Sequence, residues 1–123
     1  MLLAADSDAE FSPDRRHRYL LWREWDGKLP ALNVIGCNPS KAAEFNNDNT
    51  ARKLIGFAQR WGYGRLNLTN CFAWVATDPD ELELLSIPQA VGEKNDSYLC
   101  KIAKGSNRVI CAWGLGGNLH GRA

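Results

Sequence analysis

Three short apolar runs occur along the chain, and each of them ends in small or polar residues. They span residues 32–36, 65–70 and 108–113, and the first leads into Cys37-Asn38-Pro39-Ser40. Short, nearly continuous apolar runs are typical of parallel strands that are buried on both faces. In open α/β sheets, ligands bind beyond the carboxyl ends of such strands. We therefore predict three parallel strands whose carboxyl ends meet at one site.

Apolar residues at helical spacing lie between these predicted strands. One helix is predicted over residues 50–61 with Gly62 as its C-cap, and another over residues 93–104 with Gly105 at its end. An order of strand, helix and strand predicts a right-handed parallel βαβ unit. The pattern therefore predicts an α/β fold with three layers, α/β/α, built around a mostly parallel sheet.

The first part of the chain has a different pattern. Residues 1–17 begin with acidic and small residues without periodicity, which predicts a flexible N-terminal arm, and residues 18–123 are predicted to form a single α/β domain. Residues 19–25 are rich in aromatic side chains and end at the turn dipeptide Asp26-Gly27. We expect this strand at one edge of the sheet, antiparallel to its neighbour and in a hairpin-like pair with the strand that begins at Leu32.

Composition places the protein among ordinary globular domains. The chain has 123 residues, of which 45% are hydrophobic and 24% charged, and these values suit one domain with a real core. No apolar run approaches the roughly 20 residues that span a bilayer. No basic segment precedes the slightly apolar residues 1–5, so a secretory signal is not indicated. We expect a cytoplasmic protein without a membrane partner, and the sequence leaves its oligomeric state open.

Charge and metal-ligating residues restrict the partners. The net charge of +1 gives no support to a nucleic-acid partner and favours a small base or nucleotide. The basic cluster at residues 15–18 either grips phosphates or forms the solvated end of a strand. His17 and His120 are isolated, so no metal and no cofactor is predicted. The cysteines lack paired short spacing, which favours free thiols.

Polar residues near the ends of the predicted strands are the candidates for chemistry. Asn38 and Ser40 follow the first strand, and Asn70 ends the second. Asp48 and Arg52 have the i, i+4 spacing that lets a carboxylate hold a guanidinium in one pose. An alternative remains for Asn38 and Ser40, namely an Asx-type turn in which side chains bond their own backbone, and Asn70 has the same ambiguity. We predict that these five residues line one cavity.

Short motifs stand in a fixed order along the chain. They are Cys37-Asn38-Pro39-Ser40, Asp48-x-Thr50-x-Arg52, residues 57–64, Asn70-Cys71-Phe72-Ala73, Ala76-Thr77-Asp78-Pro79, Asn95-Asp96 and Ala112-Trp113-Gly114. Together they resemble a bacterial and phage family known as domain of unknown function 1643. The first strand with its Asn-Pro-Ser end, the strand ending in Asn70 and the last strand are also distantly similar to the uracil-DNA glycosylase superfamily.

The similarity to that superfamily implies roles for individual residues. Asn38 and Ser40 are the catalytic candidates, and Asn38 is the one that positions water. Asn70 is the candidate that reads the edge of the base, and Phe45 offers a stacking face. The other residues expected to bind ligand come from the spaced motifs and not from this similarity, and they are Asp48, Thr50, Arg52, Thr77, Trp113 and Gly114.

One departure from the family limits the expected activity. Members of the unknown-function family carry a His-Pro-Leu segment near their C-terminus, and this sequence lacks it, so we expect a C-terminally shortened member. We therefore predict a uracil-DNA-glycosylase-like domain that binds a nucleobase or nucleotide at the C-terminal edge of its sheet and is weakly active or inactive. N-glycosylase-like hydrolysis stays open. The alternative is a non-catalytic protein-interaction or structural domain of a phage or bacterial protein.

Overall fold

A computed structural model describes residues 6–39, 49–76 and 79–113, which form one mixed β-sheet with helices packed against it. The strands are β1 (Asp6–Phe11), β2 (Arg18–Glu24), β3 (Ala31–Gly36), β4 (Arg65–Asn70) and β5 (Arg108–Cys111), and the helices are α1 (Asn49–Arg60), α2 (Ile87–Val91) and α3 (Asn95–Gly105), with a 3-10 helix at Pro79–Leu84. The strand order across the sheet is β1-β2-β4-β3-β5. Among the described helices, none is long and apolar enough to cross a membrane.

The three strands predicted to be parallel do lie together in this sheet. Strand β3 pairs in parallel with β4 on one side and with β5 on the other. In the first pair Gly36 stands opposite Asn70, so both strands end at the same level. The sheet as a whole is mixed rather than mostly parallel, because β1 and β2 run antiparallel to their neighbours. The α/β class is therefore confirmed, and the description of the sheet is corrected.

Part of the segment predicted as a flexible N-terminal arm forms an edge strand. Residues Asp6–Phe11 pair with β2 along their length, and Ala9 packs against the core. This segment has few apolar residues, so its strand structure depends on the free edge that β2 offers and not on its own pattern. As a result β2 lies inside the sheet and not at its edge. The division of the chain at residue 17 into an arm and a domain stays a prediction.

The hairpin-like pair predicted between the aromatic strand and the next strand does not form. Strand β4 lies between β2 and β3. Its entry is fixed by Gly64, whose carbonyl accepts hydrogen bonds from the backbone nitrogens of Trp25 and Asp26, at 2.9 and 3.1 Å. A Cβ atom on Gly64 would lie only 1.8 Å from the carbonyl oxygen of Asp26. A glycine is therefore required where the chain enters between the two strands.

Helices contact both faces of the sheet. On one face, Ile55 and Ala58 of α1 pack against Val34 and Leu68. On the other face, Asn67 donates a hydrogen bond from Nδ2 to Ser106 Oγ beyond the end of α3, at 3.2 Å. Neighbouring residues of a strand point to opposite faces, so α1 and the end of α3 lie on opposite sides of β4. The completion of three layers and the likeness to uracil-DNA glycosylase stay predictions.

Candidate functional site

A cavity of about 220 Å³ lies at the carboxyl ends of the parallel strands, and we call it the edge cavity. It is lined by Arg18, Val34, Gly36, Cys37, Asn38, Thr50, Leu54, Leu68, Asn70 and Ala112. Pairing continues past the ends of the strands, since Cys71 N donates to Gly36 O and Ala112 N donates to Ile35 O. The backbone around the cavity is therefore held by the sheet.

The floor of the edge cavity is apolar because it is part of the core between the sheet and α1. Val34 and Leu68 stand opposite each other in the parallel register of β3 and β4. Thr50 and Leu54 are four residues apart on α1, so they face the same side of the helix. Leu54 packs against the core cluster that contains both strand residues. The cavity thus offers an apolar surface below and polar groups at its rim.

Asn70 supplies the most informative polar group in the cavity. Its side chain is only 3% exposed, and its Nδ2 atom has no hydrogen-bond partner among the described residues. A buried N–H donor without a partner costs about 1 to 3 kcal/mol. Its position depends on Gly36, because a Cβ atom there would lie 2.9 Å from Asn70 Oδ1. The glycine leaves room for a carboxamide whose donor is available to a ligand.

Arg18 enters the cavity because of an irregularity in β2. In the pairing with β1, Glu10 stands opposite Leu20 while Phe11 stands opposite Arg18, so Tyr19 is an extra residue in a β-bulge. Residues three apart on a regular strand face opposite sides of a sheet. Here the bulge places Arg18 on the side of Leu21, whose cluster also contains the apolar floor. The guanidinium is 3% exposed and also interacts with other parts of the chain.

Asn38 and Cys37 form the part of the rim that follows β3. Asn38 donates from Nδ2 to the carbonyl oxygen of Pro39 at 3.2 Å, which is a bond to the neighbouring backbone but not the bond of an Asx turn, in which Oδ1 accepts. The Oδ1 acceptor of Asn38 has no hydrogen bond to any other described residue, which leaves it available to water or ligand. Burial raises the pKa of the Cys37 thiol above its ordinary value. Cys37 is therefore a neutral thiol at pH 7.

The structure places three of the predicted site residues in the edge cavity: Asn38, Thr50 and Asn70. Arg52 is exposed on α1 and is not among the residues that line the cavity. Trp113 is half-buried, packs against the cluster that contains Phe72 and is not among the residues that line the cavity. Ser40, Phe45, Asp48, Thr77 and Gly114 lie outside the described residues. The functional roles of all of these residues stay predictions.

Sequence reasoning missed Arg18, Gly36 and Cys37 as cavity residues. In the sequence Arg18 is one member of the basic cluster at residues 15–18. Of these four residues, Arg18 alone lines the cavity. Arg15 and Arg16 are exposed, with their guanidinium carbons 4.0 Å and 5.5 Å from the ring centroids of Phe11 and Trp74. The only available signal for Gly36 was its place at the end of an apolar strand. No signal in the sequence reveals the bulge.

A larger cleft of about 640 Å³ lies between the loop after β1 and the start of α3. Its principal polar groups already have partners within the protein. His17 Nε2 lies 2.6 Å from Gln89 O, and the hydroxyl of Tyr98 donates to Glu10 Oε1 at 3.4 Å. No buried polar atom without a partner lines this cleft among the described residues. The edge cavity is therefore the better candidate site, although it is smaller.

The residues of the edge cavity do not form a metal site. Within residues 6–39, 49–76 and 79–113, no group of three histidine, cysteine or acidic side chains could hold a metal ion. All four cysteines of the chain are free thiols. The cavity's amides, hydroxyl and guanidinium are instead suited to hydrogen bonding with a polar organic ligand or its charged substituents.

These features define an α/β protein with a mixed sheet and a polar cavity at the carboxyl edge of its parallel half. Residues 18–123 match the family described as protein of unknown function (DUF1643), and the chain belongs to this family. The resemblance drawn from the spaced motifs is thereby confirmed. No curated protein and no solved structure matches the chain. The relationship to the uracil-DNA glycosylase superfamily stays a prediction.

Proposed function

We propose that the edge cavity binds the nucleobase of a small ligand and that Asn70 hydrogen-bonds the edge of the base. The observation that carries this proposal is the buried Asn70 carboxamide, whose Nδ2 has no partner among the described residues and which lines a cavity. A carboxamide offers one acceptor and two N–H donors. The carbonyl and N–H groups on the edge of a base have the matching pattern.

The dimensions and polarity of the cavity fit this class of ligand. Its volume of about 220 Å³ is below the roughly 300–1,000 Å³ of pockets that enclose drug-sized molecules, so it suits a base with part of its sugar. The apolar floor of Val34, Leu54 and Leu68 can pack against the face of a ring. Thr50 and Asn38 add hydrogen-bonding groups at the rim. The site thus combines one apolar surface with a few polar groups that fix orientation.

A hydrolytic role for the same site follows from the similarity to DNA glycosylases. Asn38 would orient water through Oδ1, and the water oxygen would bond to C1′ of the sugar as the bond from C1′ to the base nitrogen breaks. The base would leave with the electron pair of that bond and take up the proton that water releases.

Calorimetric titration with free bases and nucleosides tests the binding proposal. The variant Asn70→Ala should weaken binding about 5-fold to 150-fold, which corresponds to one lost hydrogen bond. Asn107→Ala is the matched control, because Asn107 is exposed and lies before β5, at the opposite end of the strands from the cavity. Equal heats for the wild-type protein and Asn70→Ala would exclude Asn70 as the reader of the base.

Release of uracil from a uracil-containing oligonucleotide tests the hydrolytic role separately. Turnover that is measurable and lost in Asn38→Ala would assign catalysis to the cavity. Binding without release in the wild-type protein would leave the domain as a nucleobase-binding module.

The alternative role, an interaction domain, is favoured by a separate exposed surface. Phe57 and Trp61 of α1 are 40% and 56% exposed and stack on each other, with ring centroids 5.4 Å apart. Light scattering over a range of concentrations would detect self-association through this surface, and Trp61→Ser should abolish it.

A further inference from the structure

The geometry points to an anionic ligand for the edge cavity: we infer that Arg18 binds a phosphate ester group, so that the ligand is a nucleotide rather than a free base or nucleoside. This inference rests on the proposed function, because it concerns the same cavity. It goes further in naming the charged group of the ligand and the residue that recognises it.

The placement of Arg18 is the first argument. A regular strand would have put residue 18 on the face away from Leu21, and the bulge at Tyr19 brings it to the cavity instead. Bulges that re-aim one side chain are common next to binding sites. Arg18 is 3% exposed, so its positive charge lies beside the cavity and has little contact with bulk water.

The charge of the cavity is the second argument. Arg18 is the only charged residue among the described residues that line it, and none of them is acidic. A guanidinium keeps its charge at any physiological pH and matches a phosphate with paired N–H donors. It carries five such donors, so Arg18 can serve a ligand and still keep its other contacts within the chain. Burial of Arg18 lowers the local dielectric and strengthens its attraction to an anion.

Two neighbouring arginines, Arg15 and Arg16, lie outside the cavity, so they can serve as controls for Arg18. Arg15 and Arg16 belong to the same basic cluster in the sequence, but both are exposed. The guanidinium of Arg16 lies over Trp74 rather than in the cavity. A phosphate held by general basic charge would respond to loss of Arg16. A phosphate held in the cavity would respond to loss of Arg18 alone.

The experiment compares nucleosides, their 5′-monophosphates and inorganic phosphate by calorimetry on the wild-type chain, Arg18→Gln, Arg18→Lys and Arg16→Gln. We expect monophosphates to bind the wild-type chain about 10-fold or more tighter than nucleosides, as a charged hydrogen-bonded pair implies. Arg18→Gln should abolish this difference and Arg16→Gln should keep it. Arg18→Lys should keep a smaller difference, since it retains the charge but not the paired donors.

Several results would overturn the inference. Equal affinity for nucleosides and monophosphates in the wild-type chain would refute it and leave the proposed function intact. A difference that survives in Arg18→Gln would also refute it. Should Arg18→Gln fail to fold, as shown by circular dichroism, an unchanged difference in folded Arg18→Lys would count against Arg18. Phosphate binding that needs Arg18, together with nucleotide affinity unchanged by Asn70→Ala, would support the inference and refute the base-reading role. No binding of any probe would refute both.

Discussion

Replacing Gly36 by alanine should weaken ligand binding while leaving the fold intact. An alanine Cβ at this position would lie 2.9 Å from Oδ1 of Asn70, while the nearest backbone atom, Thr69 O, would be 3.9 Å away. The strained contact is thus with the end of a side chain that can rotate. Gly36 does not have a positive φ, so alanine can adopt its backbone conformation.

Gly36→Ala should have a small effect on the free energy of unfolding and a larger effect on binding, so the experiment can separate the two. Replacing glycine by alanine at a compatible position stabilises a protein by about 0.4 to 1 kcal/mol, which offsets the cost of rotating the carboxamide. The free energy of unfolding should therefore change by less than about 1 kcal/mol. Binding should weaken about 5-fold to 150-fold, because Asn70 is displaced from its pose.

Two measurements on the same preparation decide the outcome. Urea unfolding gives the stability of Gly36→Ala, and calorimetry with the tightest nucleotide gives its affinity. Unchanged affinity in a folded variant would show that the pose of Asn70 does not matter to the ligand. Lost affinity together with a large loss of stability would mean that the substitution disturbs the sheet rather than the side chain.

Three further predictions concern Gly64, Asn95 and Cys37. Gly64→Ala should destabilise the protein by about 3 kcal/mol or more, since its Cβ would collide with the backbone of Asp26, and thermal unfolding would show this. Asn95→Ala should cost about 2 to 4 kcal/mol in urea unfolding, because Nδ2 of Asn95 donates to both Asn70 O and Cys71 O. Cys37 should react with iodoacetamide more slowly than exposed Cys111 at pH 7, because burial raises the pKa of the Cys37 thiol and the thiolate is the reactive form. Its rate should increase with pH, and equal rates for the two cysteines by mass spectrometry would contradict this.

The sequence predicted the parallel half of the fold well because its signals are local. Buried strands appear as apolar runs, and α1 and α3 appear as helical periodicity, so their observed bounds, Asn49–Arg60 and Asn95–Gly105, differ by one or two residues from the predictions. Strand β1 could not be predicted in this way. Its sequence, Asp6–Phe11, is mostly polar and becomes a strand only because β2 offers an unpaired edge. A local sequence pattern does not predict which distant segments of the chain pair with each other.

The candidate site was predictable only where strand ends carry polar side chains. Asn38 and Asn70 follow from the rule that ligands bind at the carboxyl ends of parallel strands, and both line the edge cavity. Gly36 has a role only because the register puts it opposite Asn70. That register depends on contacts between strands. A strand-end glycine by itself would also fit an ordinary turn.

The position of Arg18 connects the two parts of the molecule that the sequence treated separately. The bulge that turns Arg18 toward the cavity is defined by pairing with Glu10 and Phe11, and these residues precede the segment that matches the family. On its other side, the backbone nitrogen of Arg18 donates a hydrogen bond to the carbonyl oxygen of Ala73, at 2.8 Å. Arg18 is therefore placed by β1 on one side and by the chain after β4 on the other. The N-terminal strand is thus part of what positions the cavity's only described cation, and it contributes to the site without lining it.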